Sequence, residues 1–227
     1  MHDLPEQMIR LPDRRAHLRS AGITLIELML TIILLSAVLL ATYEIFTGSV
    51  DSYASGVLTG DLERNSTRSV RRIVEAIEMS GKDTAFPVLA APLSAAGVVV
   101  QQSLGYSGGA VQWGPLTAIA FDYDPKDPND GVDNNGNGLI DEGILVYRED
   151  IGGANERRVI LVRNVREYLE GEIENGVDDN GNGLVDERGL ALSVENGVWT
   201  IRLSLERKGS NGRIVTHTSE TSASPRN

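Results

Sequence analysis

The chain has 227 residues, of which 41% are hydrophobic and 23% are charged, a composition typical of globular proteins. It has 21 basic and 32 acidic residues, a formal net charge of −11, so nucleic acid is not an expected partner. The absence of cysteine excludes disulfides and Cys-based zinc sites, and only three histidines are present. We therefore expect that the protein is not an enzyme.

The first predicted element is a membrane-spanning helix over residues 23–43, where the only charged residue is Glu27. A helix of this length is about 31 Å long, close to the hydrocarbon thickness of a bilayer. The positive-inside rule places the N-terminus in the cytoplasm and exports the body of the protein. The positive charges that set this orientation are Arg10, Arg14, Arg15 and Arg19.

Two alternatives for this segment are a cleaved secretory signal and a plain membrane anchor. No small-x-small cleavage site follows the apolar run, which argues against the secretory signal. A plain anchor leaves Glu27 unexplained, because a carboxyl near the centre of a membrane helix costs about 2–3 kcal/mol. The sequence therefore predicts that Glu27 has a partner.

Residues 21–29, Ala-Gly-Ile-Thr-Leu-Ile-Glu-Leu-Met, resemble the type IV prepilin signal, although Ile23 stands where that family usually has Phe. The resemblance implies that residues 1–22 are a cytoplasmic leader, which a prepilin peptidase removes after Gly22. It also implies methylation of the new amine of Ile23 and pairing of Glu27 with the N-terminal amine of a neighbouring subunit.

The helical pattern continues to about residue 80, with apolar residues spaced three or four apart. Beyond Pro87 the period changes to two, which is typical of strands. The clearest of these runs are residues 116–123, 143–148, 157–165 and 198–207. In the last run we expect Trp199 and the alternate residues after it to cover the helix, with the other face polar.

The order of these elements resembles the pilin-type α+β fold, a long N-terminal helix packed on an antiparallel sheet. The predicted domains are the leader, the helix over residues 23–80, and an extracytoplasmic β-rich domain over residues 81–227.

A weaker resemblance links the chain to J-type minor pseudopilins of type II secretion and to W-type minor pilins. It is carried by residues 71–73 (Arg-Arg-Ile), 119–123 (Ile-Ala-Phe-Asp-Tyr) and 161–168 (Leu-Val-Arg-Asn-Val-Arg-Glu-Tyr). It implies a minor filament subunit in the bacterial inner membrane that acts in protein secretion or filament initiation. The implied partners are other pilin-like subunits, the inner-membrane assembly platform and secreted cargo. The alternative is a calcium-dependent adhesin on a pilin stalk.

Residues 122–187 contain 18 acidic and six basic residues and include a repeat at an offset of 45 residues. The repeated 12-residue segments begin at Gly131 and Gly176 and differ at two positions. They form the core of two predicted acidic loops, residues 130–142 and 174–187. Oxygen-bearing residues alternate along each loop as in D-x-[DN]-x-[DN]-G calcium loops, so we expect two Ca²⁺ sites. The predicted ligands are Asp133, Asn135, Asn137, the Leu139 carbonyl, Asp141 and Glu142, and in the second loop Asp178, Asn180, Asn182, the Leu184 carbonyl, Asp186 and Glu187.

The match to EF-hand loops is incomplete, because Ile144 and Gly189 occupy position 12, where a bidentate Glu is expected. The position-10 glutamates, or the upstream acids Asp130 and Glu174, are candidates to complete the shells. The alternative to metal sites is a pair of Asn-Gly turns that join strands without a metal.

A G-x-S-x-G pattern at residues 105–109 is typical of hydrolases only when a strand precedes the serine and a helix follows it. Here a predicted strand follows, so we interpret the segment as a loop.

Overall fold

The structure is a computed structural model that describes residues 22–89 and 95–226, with the side chains of residues 87–89 excluded. The predicted leader lies outside the described residues, except for Gly22. The described part is α+β, as expected.

The helix α1 (Leu25–Glu78) is a single element of 54 residues. It begins where Thr24 Oγ1 accepts a hydrogen bond from the backbone N–H of Glu27 at 3.3 Å, an N-cap of the usual kind. Among the described residues, α1 is the one helix long and apolar enough to cross a membrane. Its residues belong to two compact units, one ending at Gly48 and one beginning at Ser49.

In the first unit, the large apolar side chains from Ile23 to Phe46 are all at least 49% exposed. So many adjacent apolar side chains need a cover other than water.

The second unit contains eight strands: β1 (Ser80–Leu89), β2 (Ala95–Ser107), β3 (Ala110–Tyr123), β4 (Gly143–Glu149), β5 (Arg157–Val165), β6 (Leu190–Glu195), β7 (Val198–Lys208) and β8 (Ile214–Ala223). The four predicted strands correspond to β3, β4, β5 and β7. The other strands were not predicted, because their alternation is weak. In β2 an apolar run interrupts it, β6 has only six residues, and β8 is rich in Thr and Ser on both faces.

All strand pairings are antiparallel, in the order β1-β2-β3-β4-β5-β7-β6, and β8 pairs with the other edge of β7. Two single residue pairs join the first five strands to the last three. Val165 of β5 pairs with Leu205 of β7, and Ala95 of β2 pairs with Leu192 of β6.

The core lies between the C-terminal part of α1 and the sheet. Ile73 and Ile77 of α1 are fully buried with the apolar face of β7, which confirms that this face covers the helix. The β7 residues in this core are Trp199, Ile201, Leu203 and Leu205.

The opposite face of β7 is less exposed than expected, because Ser204 and Glu206 are also buried. The chain after β5 covers them: Arg166 N–H donates to the Ser204 carbonyl at 3.0 Å, and the Arg166 side chain forms an ion pair with Glu206 at 3.4 Å.

Ser107 of the G-x-S-x-G pattern lies at the tip of the β2–β3 hairpin, with Gly108 and Gly109 at positive φ. A strand follows this turn, so the helix that a nucleophile elbow requires is missing from this position.

Candidate metal-binding loops

The two acidic repeats occupy connections between antiparallel strands. The first lies between β3 and β4, in the loop spanning residues 124–142, which we name loop 1. The second lies between β5 and β6, in the loop spanning residues 166–189, which we name loop 2. Strand ends therefore fix both ends of each loop.

The first acidic residue of each repeat organises the turn. In loop 1 the Asp133 carboxylate accepts hydrogen bonds from the backbone N–H groups of Gly136, Asn137 and Gly138 at 2.7, 3.2 and 2.8 Å. Gly138, at position 6, has φ +85°, a conformation that glycine adopts without strain. The same three bonds recur in loop 2, from Gly181, Asn182 and Gly183 to Asp178.

The position-9 acids close the loops. Both carboxylate oxygens of Asp141 accept backbone N–H groups from the start of the acidic segment 130–142, at Asp130 and Gly131. Asp186 makes the equivalent bonds to Asn175 and Gly176 at 3.0 and 2.8 Å. These two predicted ligands therefore hold each loop together, whatever else they bind.

The position-10 glutamates are buried against the middle of their loops. Oε1 of Glu142 accepts hydrogen bonds from Nδ2 of Asn135, at 2.8 Å, and from Nδ2 of Asn137. In loop 2, Glu187 accepts the matching bonds from Asn180, at 3.3 Å, and from Asn182. The other oxygen, Oε2, of each glutamate is buried without a hydrogen-bond partner. The structure thus brings positions 3, 5 and 10 together through the asparagine Nδ2 groups. In loop 1 the Oδ1 atoms of the two asparagines accept backbone N–H groups of Asn137 and Leu139, and their role as cation ligands stays a prediction.

Two functional candidates were missed in the sequence, Asp127 and Glu172. They are 0% and 1% exposed, whereas the proposed upstream acids Asp130 and Glu174 are on the surface. Asp127 Oδ1 accepts the N–H of Asn134 at 2.6 Å, and its Oδ2 is buried without a partner. Asp127 and Glu172 are related by the same 45-residue offset as the repeats, a signal that extending the alignment upstream would have found.

The carboxyl groups of Asp127 and Glu142 share a buried environment. Burial raises the pKa of Glu142, and contact with the Asp127 carboxyl raises it further. Burial also acts to raise the pKa of Asp127, but contact with the Glu142 carboxyl and the hydrogen bond from the Asn134 N–H outweigh it and lower that pKa. Two carboxyls in such contact need a proton or a cation between them.

The side chains of each loop offer mainly oxygen, the ligand atom that hard cations prefer. Among residues 22–89 and 95–226, no group of three or more His, Cys, Asp or Glu side chains is arranged to hold a metal. A cation bound here would need amide or carbonyl oxygens beside the carboxylates, as in calcium loops. The side chains of Leu139 and Leu184 are 3% and 8% exposed, which anchors the segments whose carbonyls are predicted ligands.

Arg188 links the two ends of loop 2 to the end of β3. Its Nη1 donates hydrogen bonds to Glu167 Oε1 at 3.0 Å and to the Tyr123 hydroxyl at 2.8 Å. Its guanidinium also lies 4.5 Å from the ring centroid of Tyr168. Burial, the hydrogen bond to Glu174 and nearby negative charge raise the pKa of Tyr168 to about 12. The end of β3 and both ends of loop 2 are thereby held together.

The predicted processing residues Gly22 and Ile23 are exposed and precede α1, and Glu27 is exposed in its first turn. The structure describes each of these residues without testing its role.

Comparisons with protein-family models, curated proteins and solved structures found no match to this chain.

Proposed function

We propose that the protein is a minor subunit of a type IV pilin-like filament, either a type II secretion pseudopilus or a type IV pilus. It acts in protein secretion or filament initiation. The observation that carries the proposal is that one continuous helix is exposed and apolar in its first half and packs on an antiparallel sheet in its second. The first half suits a membrane and then the core of a filament, and the second half presents a folded domain.

The start of α1 supports processing after Gly22. Cleavage there leaves Ile23 and Thr24 before the first helical residue, so the new amine stands at the helix N-terminus. A positive amine is unfavourable at that end of the helix dipole, whereas Glu27 in the first turn is favourable. Pairing of Glu27 with the amine of a neighbouring subunit compensates both buried charges.

Before assembly, the protein is a single-pass inner-membrane protein with a cytoplasmic N-terminus and a periplasmic sheet domain. Its partners are the prepilin peptidase, other pilin-like subunits, the assembly platform and secreted cargo.

The two loops bind Ca²⁺ in a structural role. Bound cations neutralise the acidic loops and stabilise the exported domain, which has no disulfides, because they bind only the folded state. We expect affinities of about 10⁻⁴–10⁻³ M, the range of extracellular calcium modules.

Mass spectrometry of the membrane-extracted protein tests the filament proposal. The expected mature N-terminus is Ile23 with a methylated amine, and a Gly22→Ala variant is expected to keep its leader. An intact leader on the wild-type protein in its native host would contradict the proposal.

A further inference from the structure

The two loops are almost identical in sequence but differ in the acid that approaches from upstream. Loop 1 uses Asp127 and loop 2 uses Glu172, and both side chains are buried. Each of these acids accepts a backbone N–H from the repeat it precedes, Asp127 from Asn134 and Glu172 from Asn180.

Loop 1 leaves two buried carboxylate oxygens without hydrogen-bond partners. These are Asp127 Oδ2 and Glu142 Oε2, on the two carboxyl groups that lie against each other. Buried acceptors of this kind are normally satisfied, so a pair of them on adjacent carboxylates calls for a shared proton or a bound cation.

Loop 2 leaves only one such oxygen, Glu187 Oε2. The longer side chain of Glu172 reaches further into the loop. Its Oε1 accepts the Asn180 N–H at 2.9 Å, and its Oε2 accepts the Asp186 N–H at 3.3 Å. Backbone N–H groups in loop 2 thus satisfy both oxygens of its upstream acid, whereas loop 1 leaves one oxygen of Asp127 without a partner.

We propose that Asp127 and Glu172 are cation ligands that replace the missing position-12 glutamates, and that the Asp127 loop binds Ca²⁺ more tightly than the Glu172 loop. The inference deepens the proposed calcium role and rests on it. Position 12 itself is unable to contribute a side-chain oxygen, because it is Ile144 in loop 1 and Gly189 in loop 2.

The expected difference in Ca²⁺ affinity follows from the number of carboxylate oxygens that lack a hydrogen-bond partner in each loop. In loop 1 a divalent cation gives both unpartnered oxygens a positive partner at once. In loop 2 the cation gains one unpartnered oxygen and must share the Glu172 carboxylate with two backbone donors. We expect on the order of a tenfold difference in affinity, the lower end of the effect of altered hydrogen bonding around metal ligands.

The test is calorimetric titration of Ca²⁺ into the chelator-treated full chain in detergent. The wild type is expected to show two sites of different affinity. Asp127→Asn is expected to weaken the tighter site on the order of 10–100-fold, and Glu172→Gln the weaker one. The matched controls Asp130→Asn and Glu174→Gln change surface acids of the same loops and are expected to keep both sites.

Exchanging the two acids gives a second test that preserves charge and acceptors if Asp127→Asn fails to fold. Asp127→Glu is expected to bring the tighter site close to the weaker one, and Glu172→Asp to strengthen the weaker site. Unchanged affinities in the exchanged variants, or loss of sites in the controls instead, would overturn the assignment of these ligands while leaving the calcium role intact. A wild-type chain that binds no Ca²⁺ would overturn both.

Discussion

Asn135 donates a hydrogen bond from Nδ2 to Oε1 of Glu142 at 2.8 Å, so an amide from the middle of loop 1 is held against the carboxylate at its end. The same bond recurs at 3.3 Å between Asn180 and Glu187 in loop 2. A glutamate at position 10 thus ties the middle of each loop to its C-terminal part through a side-chain hydrogen bond. Each closed loop buries carboxylate oxygens whose charge has to be balanced.

Calcium should therefore raise the melting temperature of the protein. At free Ca²⁺ about 100-fold above Kd, one site contributes about 2.7 kcal/mol. For a domain of this size that corresponds to roughly 5–10 °C. Differential scanning calorimetry of the full chain in detergent, with 10 mM Ca²⁺ or with chelator, measures the shift.

The control for the calcium response is the double variant Glu142→Gln/Glu187→Gln. It removes the central carboxylates and should show little response to the ion. Equal melting temperatures of the wild type with and without Ca²⁺ would argue for metal-free Asn-Gly turns instead.

Replacing Glu27 should block assembly without blocking membrane insertion. Glu27→Gln keeps the size of the side chain but removes the charge that would pair with a neighbouring amine. We expect processed protein in the membrane and at least about a tenfold loss from isolated filaments, because an unpaired buried amine costs several kcal/mol. Immunoblots of sheared filaments and membranes provide the measurement.

Glu44→Gln is the matched control for Glu27→Gln, because it changes an exposed carboxylate just beyond the predicted span. It should assemble normally. Normal incorporation of Glu27→Gln would remove the pairing role.

Arg188→Gln should destabilise the sheet domain. The change removes the charged hydrogen bonds to Glu167 and the Tyr123 hydroxyl and the contact with the Tyr168 ring. We expect a loss of about 2–4 kcal/mol in the free energy of unfolding. Denaturant unfolding measures the loss of stability. The control is Arg157→Gln, at an exposed position at the start of β5. Equal losses in the two variants would show that the Arg188 contacts contribute nothing specific.

Two glycine substitutions should have opposite effects on stability. A Cβ on Gly97 would lie 2.5 Å from Ala120 Cβ and 2.8 Å from the Ile119 carbonyl oxygen, so Gly97→Ala should cost about 1–3 kcal/mol. A Cβ on Gly56 of α1 meets nothing within 4 Å, so Gly56→Ala should stabilise the helix by up to about 1 kcal/mol. Thermal unfolding of the two variants checks the signs, and a stabilised Gly97→Ala would contradict the packing of β2 on β3.

Glu206 should make stability depend on pH. Burial raises its pKa, and the nearby Arg166 only partly offsets the effect. The folded state therefore binds this proton more tightly than the unfolded chain does. Its contribution is present below the unfolded pKa and is lost as the pH rises through the raised folded pKa.

Glu206→Gln should accordingly be more favourable relative to wild type at pH 7 than at pH 4. Denaturant unfolding at both pH values measures the difference. The control is Glu220→Gln, which changes an exposed acid paired with Arg202. A difference between Glu206→Gln and wild type that stays constant with pH would exclude this carboxyl as the source.

The features of this protein that depend on local sequence patterns can be predicted without a structure. The apolar run after Ile23, the helical period that follows it, the alternation in β7 and the repeat of the acidic loops each depend on neighbours along the chain. These patterns predict the α+β order and place Glu142 and Glu187 in oxygen-rich loops.

The remaining features depend on contacts between residues distant in sequence. Arg188 meets Tyr123 across 65 positions, and Glu206 is buried by the chain that follows β5. Asp127 looks like one acid among many in the chain, and only folding brings its carboxylate against Glu142 and away from water. Burial and pairing of charge arise from packing, which no single stretch of sequence specifies.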